Sequence, residues 1–240
     1  MRQPASPPAT APGQQDENPT AQRPGAGPSP RLWLVRHAQP DIAPGICYGR
    51  LDVPALAHAS RSAAHALARA LPRQVAGVWH SPLQRCELLA LDLIGFRPDL
   101  TIKIQAESRL AELDFGTWEG RAWAAIPRAG IDAWSAQLHD HAPGGGESLS
   151  AMLARVAAAL QDAARLAWAP DAPDGGGDVV WLTHAGVARC VAWLQQHGPQ
   201  ARADAARWPV AAPGYGAWVT LALPQPPSGQ AASGQCGEQG

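Results

Sequence analysis

The chain has 240 residues, including 24 glycines and 24 prolines, and its 19 basic and 20 acidic side chains leave a formal net charge of −1. At roughly 150 residues per domain this gives one or two domains, and the balanced charge excludes a general attraction to nucleic acid or an anionic membrane. No run approaches the ~18 consecutive apolar residues of a membrane span.

The first twenty residues, MRQPASPPATAPGQQDENPT, lack the apolar core of a secretory signal. Cys47, Cys86, Cys190 and Cys236 show no paired C-x-x-C spacing, which argues against a zinc ribbon or a disulfide scaffold. A reducing cytoplasm is the expected location.

Residues 1–30 hold eight of the 24 prolines and almost no large apolar side chain, so a flexible tail is expected there. Residues 224–240 read the same way, which leaves 31–223 as one domain. Within it, RLWLV (31–35) reads as a strand, Ala55 to Leu71 as an alanine-rich helix and Val75 to Trp79 as a second strand. Ser81-Pro82 then reads as a helix start, with serine capping and proline in the first turn, and the helix runs to Gly95. Thr101 to Gln105 alternates like a strand.

Leu149, Met152, Leu153, Val156 and Leu160 share one helical face after the triple glycine 144–146. Asp178 to Thr183 reads as another strand, Val187 to Leu194 as its following helix, and Tyr215 to Leu223 closes the sheet. Strands alternate with helices, so the class is α/β.

Three strands end on chemistry. The first runs into Arg36-His37, the second into His80-Ser81-Pro82 with Arg85 one turn into its helix, and the third into His184-Ala185-Gly186. Ligands of open α/β sheets bind beyond the carboxyl ends of strands, where helix N-termini also point. Two arginines and two histidines would therefore converge on one anion.

This constellation resembles the histidine phosphatase, or phosphoglycerate mutase-like, superfamily. Arg36-His37-Ala38 is similar to its Arg-His-Gly signature, and Ser81 to Cys86 to its second motif. Glu112 to Gly120 (ELDFGTWEG) is similar to the acid-bearing segment and Thr183 to Gly186 to the last motif. The resemblance implies a three-layer fold, with a central, mostly parallel sheet flanked by helices.

It also implies roles. His37 would attack phosphorus as a neutral imidazole, kept unprotonated by Arg36 and Arg85. Those arginines and His184 would donate to the phosphoryl oxygens, and Glu112 would protonate the leaving alkoxide. These cations offset the developing charge, so no metal or other cofactor is implied. Among the nearby carboxylates Glu107, Asp114 and Glu119, it is the resemblance that selects Glu112.

RHAQPDIAPGICYGRLDVPAL, RLAELDFGTWEGRAW and PGGGESL are more specifically similar to bacterial α-ribazole phosphatases, which remove the 5′-phosphate of α-ribazole phosphate in cobalamin assembly. Many relatives carry asparagine where this chain has Ala43, so that phosphate contact is expected to be absent or to be supplied by Gln39 or the backbone at Gly49. Arg50 is expected to touch substrate, and Tyr48, Trp118 and Trp123 to form an aromatic pocket. The compact chain, with Lys103 as its sole lysine, disfavours a mutase.

The expected partner is a small phosphomonoester. The alternatives are another sugar phosphate or nucleotide, protein phosphohistidine, or a non-catalytic phospho-ligand module. His80 and Glu147 read either as structural or as site residues, Asp52 as a partner of Arg50 or of substrate, and His139 and His141 as solvent-exposed rather than metal-binding.

Overall fold

A computed structural model describes residues 29–169 and 177–226. The tails expected at 1–30 and 224–240 lie almost wholly outside these residues. At the described edges, Pro30 is buried and its carbonyl accepts from the Leu223 N–H at 2.8 Å. Pro30 therefore belongs to the packed domain.

Five strands form one sheet in the order β3-β2-β4-β1-β5: β1 Arg31–Arg36, β2 Gly77–His80, β3 Ile104–Ala106, β4 Val179–Thr183 and β5 Trp218–Ala222. All neighbours are parallel except β5, which runs antiparallel to β1. Helices α1 (Ala57–Ala70) and α2 (Gln84–Phe96) cover one face, while α4 (Leu149–Ala167) and α5 (Ala185–His197) cover the other. A short helix, α3 (Arg128–Ala136), carries one wall of the cavity described below.

The apolar runs of the central strands are continuous because both faces are buried. In β1, Trp33 and Val35 pack on the α1–α2 side, and Leu32 and Leu34 on the α4–α5 side. Val180 and Leu182 of β4 split from Val179 and Trp181 in the same way. These two core layers make the fold a three-layer α/β sandwich. Among the described residues no helix is long and apolar enough to cross a membrane.

Two elements differ from expectation. Pro98 opens a 3-10 turn over Pro98–Lys103 that buries Leu100 and leaves Ile102 exposed, so β3 begins only at Ile104. Helix α2 starts at Gln84 rather than at Ser81-Pro82, and Ser81 does not cap it. Its first N–H is instead taken by Asp52 Oδ1 at 2.8 Å, from a loop 32 residues away. That frees Ser81 for another partner.

Candidate active site

Strand register sets the site. Arg36 pairs with Thr183, so the next residues, His37 and His184, leave neighbouring strand ends side by side. The His37 N–H donates to the Thr183 carbonyl at 2.9 Å, and the Ser81 N–H to the Leu182 carbonyl at 3.0 Å. The three parallel strands thus deliver His37, Ser81 and His184 to one edge, and the His37 and His184 ring centres lie 5.2 Å apart.

His37 is buried, and its Nδ1 lies 2.7 Å from the Ala38 carbonyl. A carbonyl only accepts, so Nδ1 carries the hydrogen and Nε2 keeps its lone pair. Burial is the largest cause of a pKa held down to about 3, with the Arg85 charge next and Arg36 adding to it. Charge alone was the cause legible in the sequence.

His184 is fully buried, and burial followed by the Arg85 and His37 charges holds its pKa well below the usual histidine range. Its Nε2 lies 2.8 Å from Ser81 Oγ. When that hydroxyl donates, His184 Nδ1 becomes a donor.

Arg85 is also fully buried. Each of its two terminal nitrogens donates one hydrogen, to the Leu51 and Gly49 carbonyls at 2.8 and 2.6 Å, which ties the 49–51 loop to α2. A side chain at Gly49 would meet the Leu113 carbonyl at 2.1 Å, so only glycine allows this loop to sit against the 113–115 segment. Arg36 stacks 3.9 Å from the Tyr215 ring and donates to the Pro213 carbonyl. Tyr215 in turn shares a 2.7 Å hydrogen bond with Tyr48, whose hydroxyl is pushed up to about 12 by burial and by that bond.

Glu112 faces the start of α5. Its Oε2 accepts from the Gly186 N–H at 3.0 Å, and its Oε1 from the Leu113 N–H at 2.9 Å. The carboxyl group is thereby fixed at the N-terminus of α5, on the wall of the cavity that holds His37. Arg155 of α4 clamps the segment that presents it, donating to the Arg109 and Ala111 carbonyls, both at 2.7 Å, and to the Glu112 carbonyl at 3.3 Å. Glu147 holds Arg155 in a two-point ion pair.

Arg36, His37, Gly49, Arg85 and Glu112 line one cavity of about 250 Å³. His184 is buried beside His37 and is not part of the cavity lining. Gln39 does not line the cavity: its side chain is exposed, and its carbonyl accepts from Leu56 N–H where the chain leaves β1. Arg50 is outside as well, exposed and 3.9 Å from Asp114. Tyr48 and Trp123 are in the wall, but Trp118 turns inward to pack with Cys47 and Ile126.

Among the residues set aside earlier, His80 Nδ1–H donates to the Ser81 carbonyl, and Glu147 serves Arg155 rather than the cavity. His139 is not solvent-exposed as expected, because its Nδ1 accepts from the Ala203 N–H while its side chain is only 18% exposed.

Wall residues that sequence reasoning missed are Trp134 of α3, Arg189 of α5 and Trp208. They come from segments distant in the chain. For Arg189 alone a signal was present, since it lies three residues after Gly186, on the same helical face.

The two depressed histidines couple stability to pH. Unfolded, each takes up a proton below about 6.5; folded, His37 resists protonation down to about 3 and His184 is shifted the same way. The stability they permit is therefore complete above 6.5 and is lost as pH falls from there towards the folded values. Each contributes up to about 1.4 kcal/mol per pH unit. Urea unfolding between about pH 6.5 and 5, above most carboxylate titration, should show this loss and a shallower one in His37→Asn. Equal slopes in the two proteins would contradict it.

Residues 32–212 match the histidine phosphatase superfamily (branch 1). Phosphoserine phosphatase 1 of Hydrogenobacter thermophilus is 31% identical over 143 residues, 58% of this chain and 66% of that protein. The chain thus spans slightly less than two thirds of that relative's length. The solved structure of a mycobacterial glucosyl-3-phosphoglycerate phosphatase is 26% identical with a TM-score of 0.63, covering 81% of this chain and 90% of that one. TTHB049 from Thermus thermophilus is 27% identical with a TM-score of 0.57, covering 81% of this chain and 95% of that one.

Proposed function

The chain belongs to branch 1 of the histidine phosphatase superfamily, and from that membership we propose that it is a metal-independent phosphomonoesterase working through a phosphohistidine. The observation that carries this reading is the state of His37: buried, neutral, with its Nδ1–H bound to a carbonyl and Nε2 free, beside two arginines.

In the first step, the Nε2 lone pair forms a bond to phosphorus while the ester P–O bond breaks. Glu112, protonated at that point, delivers its proton to the leaving oxygen, and the alcohol departs. In the second step, water attacks phosphorus, Glu112 takes its proton, and the P–N bond breaks to release phosphate and neutral His37. Arg36 and Arg85, which line the cavity beside His37, act as donors to the phosphoryl oxygens throughout, while His184, packed against His37 outside the lining, supports the nucleophile's ring. Arg155 holds the acid-bearing segment in place.

For the substrate we favour a small organic phosphate, since a cavity of about 250 Å³ lies just below the usual range of ligand sites. The sequence resemblance suggests α-ribazole 5′-phosphate. Neither of the substrate-named relatives above carries that name, so the cobalamin assignment rests on the resemblance alone.

The test is kcat/KM of metal-free protein on α-ribazole 5′-phosphate, phosphoserine, glucosyl-3-phosphoglycerate, plain sugar phosphates and a phosphohistidine peptide, with His37→Ala as control. His37-dependent turnover of the small esters is expected. Turnover confined to the phosphopeptide would overturn the substrate class, and turnover that survives in the control would overturn the mechanism.

A further inference from the structure

Arg189 has no part in the reaction just described, yet it lines the same cavity as His37 and Glu112. It lies three residues beyond Gly186, a rise of about 4.5 Å along α5. Gly186 is the residue whose N–H holds the Glu112 carboxylate. Arg189 is thus on the side of the cavity where the proton donor, and with it the leaving alcohol, must lie.

Arg189 Nε donates to the Val210 carbonyl at 3.2 Å, which anchors the guanidinium by one edge. Among the described residues its two terminal nitrogens make no hydrogen bond and no ion pair. Among those residues, too, the only acidic side chain lining the cavity is Glu112, and both of its oxygens are engaged by backbone N–H groups. Trp134, Trp208 and Leu138 add apolar wall to the cavity that Arg189 lines. Such a setting strengthens a charge-assisted hydrogen bond to an arriving anion.

Resting on the phosphomonoesterase reading, we propose that Arg189 is a specificity residue that recognises a carboxylate carried by the leaving alcohol, so that the preferred substrates are phosphorylated hydroxy acids rather than α-ribazole 5′-phosphate, which carries no carboxylate. A planar fork with two free donors matches a carboxylate in two-point geometry. The phosphoryl end has its own cations in Arg36 and Arg85, so the two anionic groups of one small molecule would be held at opposite ends of the cavity. Glu112, held by the Gly186 N–H on the same helix as Arg189, would then face the ester oxygen that joins the two groups.

Matched substrate pairs test this: O-phosphoserine against O-phosphoethanolamine, and 3-phosphoglycerate against glycerol 3-phosphate. Members of each pair differ in the carboxylate. The readout is the kcat/KM ratio within a pair, so any loss common to both members cancels. The native chain should favour the acid by roughly ten- to a hundredfold, mostly through KM. In Arg189→Met the ratio should fall close to one, and Arg189→Lys should retain part of it.

A ratio near one in the native chain, or a preference that survives in Arg189→Met, would overturn the proposal. So would a stronger preference for a bisphosphate than for either acid. p-Nitrophenyl phosphate separates the two readings: His37-dependent turnover of it with no acid preference removes only the role of Arg189. Absence of any His37-dependent turnover removes the phosphatase reading and the Arg189 role with it.

Discussion

His37→Ala is expected to lower phosphomonoester turnover at least ~10⁴-fold while leaving the fold in place. Nothing else lining the cavity among the described residues offers an uncharged nitrogen lone pair. His184 does not replace it, because its Nε2 is engaged with Ser81 and its fully buried ring does not line the cavity. A second contribution comes from the state of the lost group. The bond from Nδ1 to the Ala38 carbonyl selects the tautomer, while burial and the Arg85 charge keep the proton off Nε2. The check is kcat on any turned-over ester, with circular dichroism to confirm folding. Retention of even a tenth of native activity would mean that another group attacks phosphorus.

Gly186→Ala is the second large effect, and it separates activity from stability. A Cβ on Gly186 would lie 2.0 Å from Glu112 Oε1 and 2.9 Å from Glu112 Cδ. The end of a glutamate side chain moves cheaply, and alanine suits a helix better than glycine, so stability should change by no more than about 1 kcal/mol. The displaced carboxylate, however, is the proton donor. Activity on alkyl phosphates should therefore fall by roughly 10²- to 10⁴-fold.

The leaving group supplies a further signature of Gly186→Ala. p-Nitrophenolate departs without a proton, so formation of the phosphoenzyme should be largely spared with p-nitrophenyl phosphate. A burst of nitrophenol followed by slow turnover is the expected trace. Equal losses on alkyl and nitrophenyl esters, with no burst, would mean that Glu112 is not the acid.

Much of this site was legible because three apolar runs end abruptly in Arg36-His37, His80-Ser81 and His184, and parallel pairing must bring such ends together. Contacts made across sequence distance were not legible. Ser81-Pro82 has the look of a helix cap, yet Asp52 performs that task and Ser81 turns to His184.

The alternation in Thr101 to Gln105 suggested a strand, but Pro98 winds most of it into a 3-10 turn. Arg155, beside an ordinary amphipathic stripe, gives no local sign that it grips three carbonyls of the acid-bearing segment. Gln39 and Arg50 were drawn in by their nearness to motifs along the chain. Both side chains are exposed and lie outside the cavity.

The central claim is that phosphate passes through His37. The most direct measurement mixes the protein with excess phosphomonoester, quenches in alkali, where phosphohistidine survives, and maps the adduct by peptide mass spectrometry. The account predicts one phosphoryl group on the peptide containing His37, carried on Nε2, with a larger trapped fraction in Gly186→Ala when p-nitrophenyl phosphate is the donor. Full turnover with no phosphoryl group on that peptide, or the adduct on another residue, would contradict it.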